Sequence, residues 1–130
     1  MSDLLNTLSL SASGMKAQST RLRHISENIS NVDTPGYHRK TVAFEPLQSG
    51  SRDIGQVVTG PVQLDNTQLE RVFDPAHPMA DATGYFDGSN VDLVVEIADA
   101  RQAQRSYEAN LKMFDQARQM TSSLFELLRK

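Results

Sequence analysis

Residues 93–128 read LVVEIADARQAQRSYEANLKMFDQARQMTSSLFELL, and no Gly or Pro interrupts them. Apolar side chains recur at Leu93, Ile97, Ala100, Ala103, Tyr107, Leu111, Phe114, Ala117, Met120, Leu124 and Leu128, a mean period of about 3.5 residues. That spacing predicts one helix of roughly 39 residues and about 58 Å, far longer than the usual three turns of a globular helix. Just upstream, Ser89-Asn90-Val91-Asp92 fits a capping box, with the Ser89 hydroxyl and the Asp92 carboxylate each taking an orphan amide.

The other end of the chain repeats the pattern. Leu4, Leu8, Ser11, Met15, Gln18, Leu22, Ile25, Ile29 and Val32 step by four and three, and seven of these nine are apolar. A helix is expected from about Asp3, a favourable anion in the first turn, to about Asn31. There the breakers gather: Pro35 moves Thr34 out of the α region, and Gly36 supplies the positive φ of a type II turn at Thr34-Pro35-Gly36-Tyr37. Between the helices, His38-Arg39-Lys40-Thr41-Val42-Ala43-Phe44-Glu45 and Gly55-Gln56-Val57-Val58 carry the β-branched and aromatic residues of short strands. Val62-Gln63-Leu64 alternates and is expected to pair with Leu69-Glu70-Arg71-Val72-Phe73, while Asp74-Pro75-Ala76-His77-Pro78 is irregular because of its prolines.

The expected fold is mainly α: two long terminal helices pair as a coiled-coil hairpin, with a small irregular β-containing middle segment. Its divisions are an N-terminal helix and turn at 1–36, a middle segment at 37–89 and a C-terminal helix at 90–130, the two helices forming one core domain. Val94, Met113, Phe125 and Leu127 lie off the second stripe, so apolar surface remains after the helices pair, and association with neighbours is the natural way to cover it.

Composition removes other classes. The chain has 130 residues and a net charge of −3, from 13 Lys and Arg against 16 Asp and Glu, which gives no cationic footprint for nucleic acid. No Cys or Trp is present, so there is no disulfide framework, thiolate metal site or cysteine nucleophile. The start Met1-Ser2-Asp3-Leu4-Leu5 lacks the features of a cleaved secretory signal, and the longest aliphatic run, Leu93-Val94-Val95, predicts no membrane insertion. His24, His38 and His77 lack the spacing of metal ligands, and the Asp81 to Asp92 stretch has Phe86 where a calcium loop needs Gly. Ser26 and Ser106 have no nucleophile-elbow glycines. No catalytic residue, cofactor or metal is expected, and the chain reads as a non-enzyme. Arg39-Lys40, with Arg21 and Arg23, reads as a solvated face or a charge contact between subunits.

Ser26-Glu27-Asn28-Ile29-Ser30-Asn31-Val32-Asp33-Thr34-Pro35-Gly36-Tyr37 resembles the N-terminal signature of bacterial flagellar rod and hook proteins. Asp74-Pro75-Ala76-His77-Pro78, Gly84-Tyr85, Asn90-Val91-Asp92 with Glu96, and Arg105-Ser106-Tyr107-Glu108-Ala109-Asn110 resemble the proximal rod members of the basal-body rod family. Two sibling proteins share the Thr-Pro-Gly-Tyr turn, and the Asp74 to Pro78 and Tyr107 to Asn110 stretches favour one of them over the other. The resemblance implies a structural subunit of the basal-body rod within the periplasm, exported by the flagellar type III apparatus and packed helically through its terminal helices to transmit torque. The implied partners are copies of itself, other flagellar rod proteins, the export apparatus, and basal-body ring and adaptor proteins. A soluble coiled-coil adaptor is the rival reading. Subunit packing is expected at Leu8, Met15, Leu22, Ile25 and Ile29 with Tyr107, Leu111, Phe114, Leu124 and Leu128, some of which join the helices of one chain instead. Asn28, Asn31, Pro35 and Gly36 shape the turn, Asn90 opens the second helix, and Asn110 hydrogen-bonds across the seam to fix register.

Overall fold

In the computed structural model, which describes residues 2–49 and 52–129, helix α1 (Ser2–Ser30) ends at the cluster of breakers. Residues 34–37 then form a type II turn: Tyr37 N donates to Thr34 O at 3.2 Å, and Gly36 has φ 74°. That φ strains any residue with a Cβ, so the turn depends on Gly36. Helix α2 (Leu93–Arg129) runs back along α1. Arg21 reaches Gln102 at 3.2 Å and Asn28 reaches Glu96 at 3.4 Å, while Gly14 faces Asn110. Rising numbers on one helix meet falling numbers on the other, so the pair is an antiparallel hairpin. This register carries the end of α2 about two turns past the start of α1. An α2 end at Lys130 lies outside the described residues.

Six short strands connect the helices among the described residues: β1 (Lys40–Thr41), β2 (Phe44–Ser49), β3 (Arg52–Thr59), β4 (Gln63–Leu64), β5 (Arg71–Phe73) and β6 (Tyr85–Asp87). They form three separate antiparallel pairs, β1 with β4, β2 with β3 and β5 with β6. The expected pairing of 62–64 with 69–73 does not form. Gln63 and Leu64 face Thr41 and Lys40, and Arg71, Val72 and Phe73 face Asp87, Phe86 and Tyr85. The long β2–β3 hairpin lies against α1, where Val57 N donates to Ser13 Oγ at 3.2 Å and Gln56 Nε2 to Ser9 Oγ at 2.5 Å.

The start of α2 also differs from expectation. Asp92 is the cap: its Oδ1 accepts from Val94 N at 3.0 Å and its carbonyl accepts from Glu96 N at 3.0 Å. Ser89 instead donates its hydroxyl to Val32 O, tying the approach to α2 onto the end of α1.

The β5–β6 loop is organised by one carboxylate. Asp81 accepts from Thr83 Oγ1 at 2.6 Å, from Thr83 N at 2.9 Å and from Tyr85 N at 3.2 Å, and pairs with Arg71 at 2.8 Å. The Thr83 hydroxyl and Arg71 hold Asp81 far below the ordinary carboxylate range, hydrogen bonds from Thr67 lower Asp65, and the Lys40 ammonium lowers Glu27. Groups with depressed folded pKa values contribute stability above their unfolded values near pH 4, and lose it as pH falls through the folded ones. Tm is therefore expected to fall between pH 5 and pH 2 in thermal melts, and Arg71→Gln should flatten part of that slope.

Candidate functional site

The turn, β1 and the start of α2 converge on a polar junction centred on Asn28, which is 1% exposed. Asn28 Oδ1 accepts from Tyr37 Oη and from Lys40 N, both at 2.9 Å. Its Nδ2 donates to Lys40 O at 2.9 Å and to Glu96 Oε1 at 3.4 Å. Both amide protons and both lone pairs are thus used, a set that Asp, Ser or Ala does not reproduce. Asn90 clamps the opposite side: its Oδ1 accepts from Arg39 N at 2.6 Å, and its Nδ2 donates to Asp65 O at 2.9 Å and Thr67 O at 3.1 Å. Asn31 holds the helix end by donating to Glu27 O at 2.8 Å and accepting from Thr34 Oγ1 at 3.0 Å. Pro35, half-buried, and Gly36 complete the turn, with Gly36 N donating to Gly88 O at 3.0 Å.

Charge follows the same geometry. Glu96 is fully buried on α2, and Arg39 Nε binds its Oε1 while Arg39 Nη2 binds Asp99 Oδ2 at 2.7 Å. Arg21 adds a contact to Asp99 at 3.6 Å, and Lys40 pairs with Glu27 at 3.0 Å. Burial works against the Arg39 charge, but Glu96 and Asp99 outweigh it and raise the pKa. Burial, by contrast, raises Tyr37. Arg21, Arg39 and Lys40 are thus engaged within the chain rather than forming a solvated face. The three histidines occupy separate surroundings: His24 lies buried beside Glu27, His38 contacts Asp65 O, and His77 stacks on Phe86.

Below the junction the two helices meet through small residues. Ser11, Ala17, Ala103 and Ala117 are each at most 3% exposed, and Gly14 lies under the Asn110 side chain. On α2 the inner line runs Glu96, Ala103, Asn110, Ala117, every seventh residue, and not along the large apolar residues of the expected stripe. Close approach of two backbones selects small side chains for the contact line and displaces wide aliphatic ones to its flanks. Asn110 does not bond across the seam; its Nδ2 donates to Ser106 O on its own helix at 2.9 Å, and it meets Gly14 by packing.

The residues expected to pack between subunits are distributed accordingly. Ile25 is buried; Leu8, Met15, Leu22, Ile29 and Phe114 are half-buried; Tyr107, Leu111, Leu124 and Leu128 are exposed. Leu22, Tyr107 and Leu111 share an open groove of about 370 Å³ along one flank of the hairpin. Leu124 lines a second, of about 620 Å³, with Met120 and Leu127 near the end of α2. Glu96 and Arg39 are the junction's ion pair that sequence periodicity missed, since they stand 57 positions apart and neither belongs to an apolar stripe.

No helix among the described residues is long and apolar enough to cross a membrane. Residues 8–38 match the family described as flagella basal body rod protein, and residues 82–127 match the flagellar basal body rod FlgEFG protein C-terminal family. These matches take in Asn28, Asn90 and Glu96 of the junction, the turn and most of both helices. Over 127 aligned positions the chain is 39% identical to the flagellar basal-body rod protein FlgC of Agrobacterium fabrum, covering 92% of this chain and 91% of that protein. Identity to FlgC of Aquifex aeolicus is 33%, over 97% of this chain and 98% of that one, and to FlgC of Salmonella typhimurium 32%, over 90% and 92%. With signature, junction and nearly full-length similarity in agreement, the chain belongs to the flagellar basal-body rod protein family and is similar to its FlgC members.

Proposed function

We propose that the chain is a structural, non-enzymatic subunit of the bacterial flagellar basal-body rod, exported by the flagellar type III apparatus and assembled helically in the periplasm through its terminal helices. Copies of itself and other rod proteins, with basal-body ring and adaptor proteins, are the partners. The observation that carries this reading is the division of labour on α2: small residues close the hairpin, leaving Val94, Phe125, Leu127 and Leu128 more than half exposed. Such a face is an interaction surface awaiting other chains. Contact between unlike faces of successive copies extends into a helical array rather than a closed dimer. Close-packed helical interfaces then transmit strain, which is what a shaft under torque requires. In this scheme the terminal segments 1–36 and 90–130 form the packing body, and 37–89 braces it.

Leu128→Asp tests the scheme. Leu128 is 76% exposed, so the isolated chain should keep its circular dichroism spectrum and its export into the medium. Loss of one leucine contact with a neighbouring subunit is expected to lower the amount of chain in purified basal bodies at least about tenfold and to abolish swimming. Leu128 is the cleaner position than half-buried Phe114, where a charge strains the fold as well. Normal incorporation of the Leu128→Asp chain would overturn the scheme.

A further inference from the structure

The β5–β6 hairpin is fastened at the turn end of the molecule by backbone hydrogen bonds: Gly36 N donates to Asp87 O at 3.2 Å, and Glu70 N to Ser89 O at 3.3 Å. Its outer face exposes the Phe73 and Tyr85 rings at 61 and 40%, their centres 5.0 Å apart. Glu70 and Asp74 flank β5, Asp81 lies in the loop and Asp87 ends β6, all four exposed, whereas Arg71 is the one Lys or Arg between positions 70 and 88. Arg71 is already engaged, paired with Asp81 and Asp87 and 5.8 Å from the Tyr85 ring centre. Among the described residues, Glu70 and Asp74 have no cation within ion-pair distance. Exposed ring faces beside carboxylates suit Arg and Lys side chains, whose stems lie on the rings while their charges meet the acids.

The outer face of α2 has the opposite character. Arg101, Arg105 and Lys112 are exposed, and at 3.6 residues per turn they lie within about 20° of one line, diametrically opposite buried Ala103. That line points away from α1, so pairing of the helices leaves it uncovered. Among the described residues, none of the three cations has a carboxylate within ion-pair distance, and Glu108 is the one carboxylate between Arg101 and Lys112. Exposed Ala98 and Ala109 border the line and are too small to bar an approaching surface. Arg101 and Lys112 stand about 16 Å apart along the helix, and Glu70 and Asp74 about 13 Å apart at strand spacing, so the two charged rows are of similar reach. Within one chain they stay apart: the hairpin is held at the start of α2, while Arg105 and Lys112 lie about 18 and 29 Å farther along it.

We infer that the acidic, aromatic face of the β5–β6 hairpin of one copy docks on the Arg101, Arg105 and Lys112 line of α2 in a second copy. Opposed charges set the register, while hairpin-to-hairpin and line-to-line contacts place like charges together and are disfavoured. The two surfaces are different, so the contact propagates from copy to copy. It occupies the outer face of α2 and leaves the apolar flanks of the helices free for other neighbours. The inference rests on the assembly of copies proposed above, and it names one face by which they meet.

Charge reversal tests the contact in the full chain. Arg101→Glu with Arg105→Glu changes exposed side chains, so the circular dichroism spectrum should stay that of the parent, while the amount of chain per basal body should fall about tenfold. Adding Glu70→Arg with Asp74→Arg should restore most of it. The chain has no cysteine, so an engineered pair reports without background from the chain itself. Basal bodies from cells expressing Met79→Cys together with Ala109→Cys should yield, on mild oxidation, a species of twice the monomer mass that neither single variant gives. Normal incorporation of the Arg101→Glu, Arg105→Glu chain, or loss without recovery in the fourfold charge swap, overturns the hairpin contact and leaves the rod reading standing. A cross-linked species of another mass gives the hairpin to a different protein and also overturns it. Absence of the unaltered chain from basal bodies overturns both.

Discussion

Arg39→Ala is expected to cost about 3–5 kcal/mol of folding stability, because it strips the counter-charge from a carboxylate that is fully removed from water. Glu96 would keep only Asn28 at 3.4 Å, and its Oε2 already lacks a hydrogen-bond partner. Asp99 would lose its 2.7 Å contact and retain Arg21 at 3.6 Å. Urea unfolding should show a lower midpoint at unchanged slope. Adding Glu96→Gln should recover about 1–3 kcal/mol by removing the buried charge. A deficit below about 1 kcal/mol at pH 7 would show that the pair does not hold the junction.

Gly14→Leu is expected to cost about 3 kcal/mol and to lower Tm by about 10 °C. A Cβ at position 14 would lie 2.7 Å from Asn110 Nδ2 and 2.9 Å from its Cγ and Oδ1. Asn110 cannot retreat freely, since its Nδ2 is bonded to Ser106 O. The better helix propensity of Leu, about 0.8 kcal/mol, does not offset separation of the two helices. The paired change Gly14→Ala with Asn110→Ala removes the obstruction and gains propensity, so its Tm should equal or exceed that of the parent. A Gly14→Leu chain melting at the parent temperature would mean that the helices stand farther apart than described.

The helix limits and the type II turn were legible because their determinants are local. Pro35 and Gly36 act within four residues, and heptad spacing survives averaging over a long helix. The seam was less legible. Hydropathy weights Leu111 and Leu124 above Ala103, Ala117 and Gly14, yet the close approach of backbones depends on the small residues. Strand pairing failed for a related reason. Segments 62–64 and 69–73 are adjacent in sequence, but backbone partners at 40–41 and 85–87 compete for them and win. The cap was misplaced by three residues because Ser89 has a nonlocal partner in Val32 O, leaving the helix to begin on Asp92. Arg39 and Glu96 lay beyond any periodic reading, although Glu96 and the asparagines around the pair are part of the recognised signature.

The Asn28 hub draws its first partners from 9 and 12 positions away and its last from 68 positions away. A ribosome adding roughly 5–20 residues per second delivers that final partner roughly 3–14 s after Asn28 itself. Throughout that interval the leading third of the polypeptide has the Tyr37 and Lys40 partners of Asn28 but lacks Glu96 and the second helix. Completion of the hub is thereby deferred to the trailing third, so the junction closes only when the start of α2 is in place.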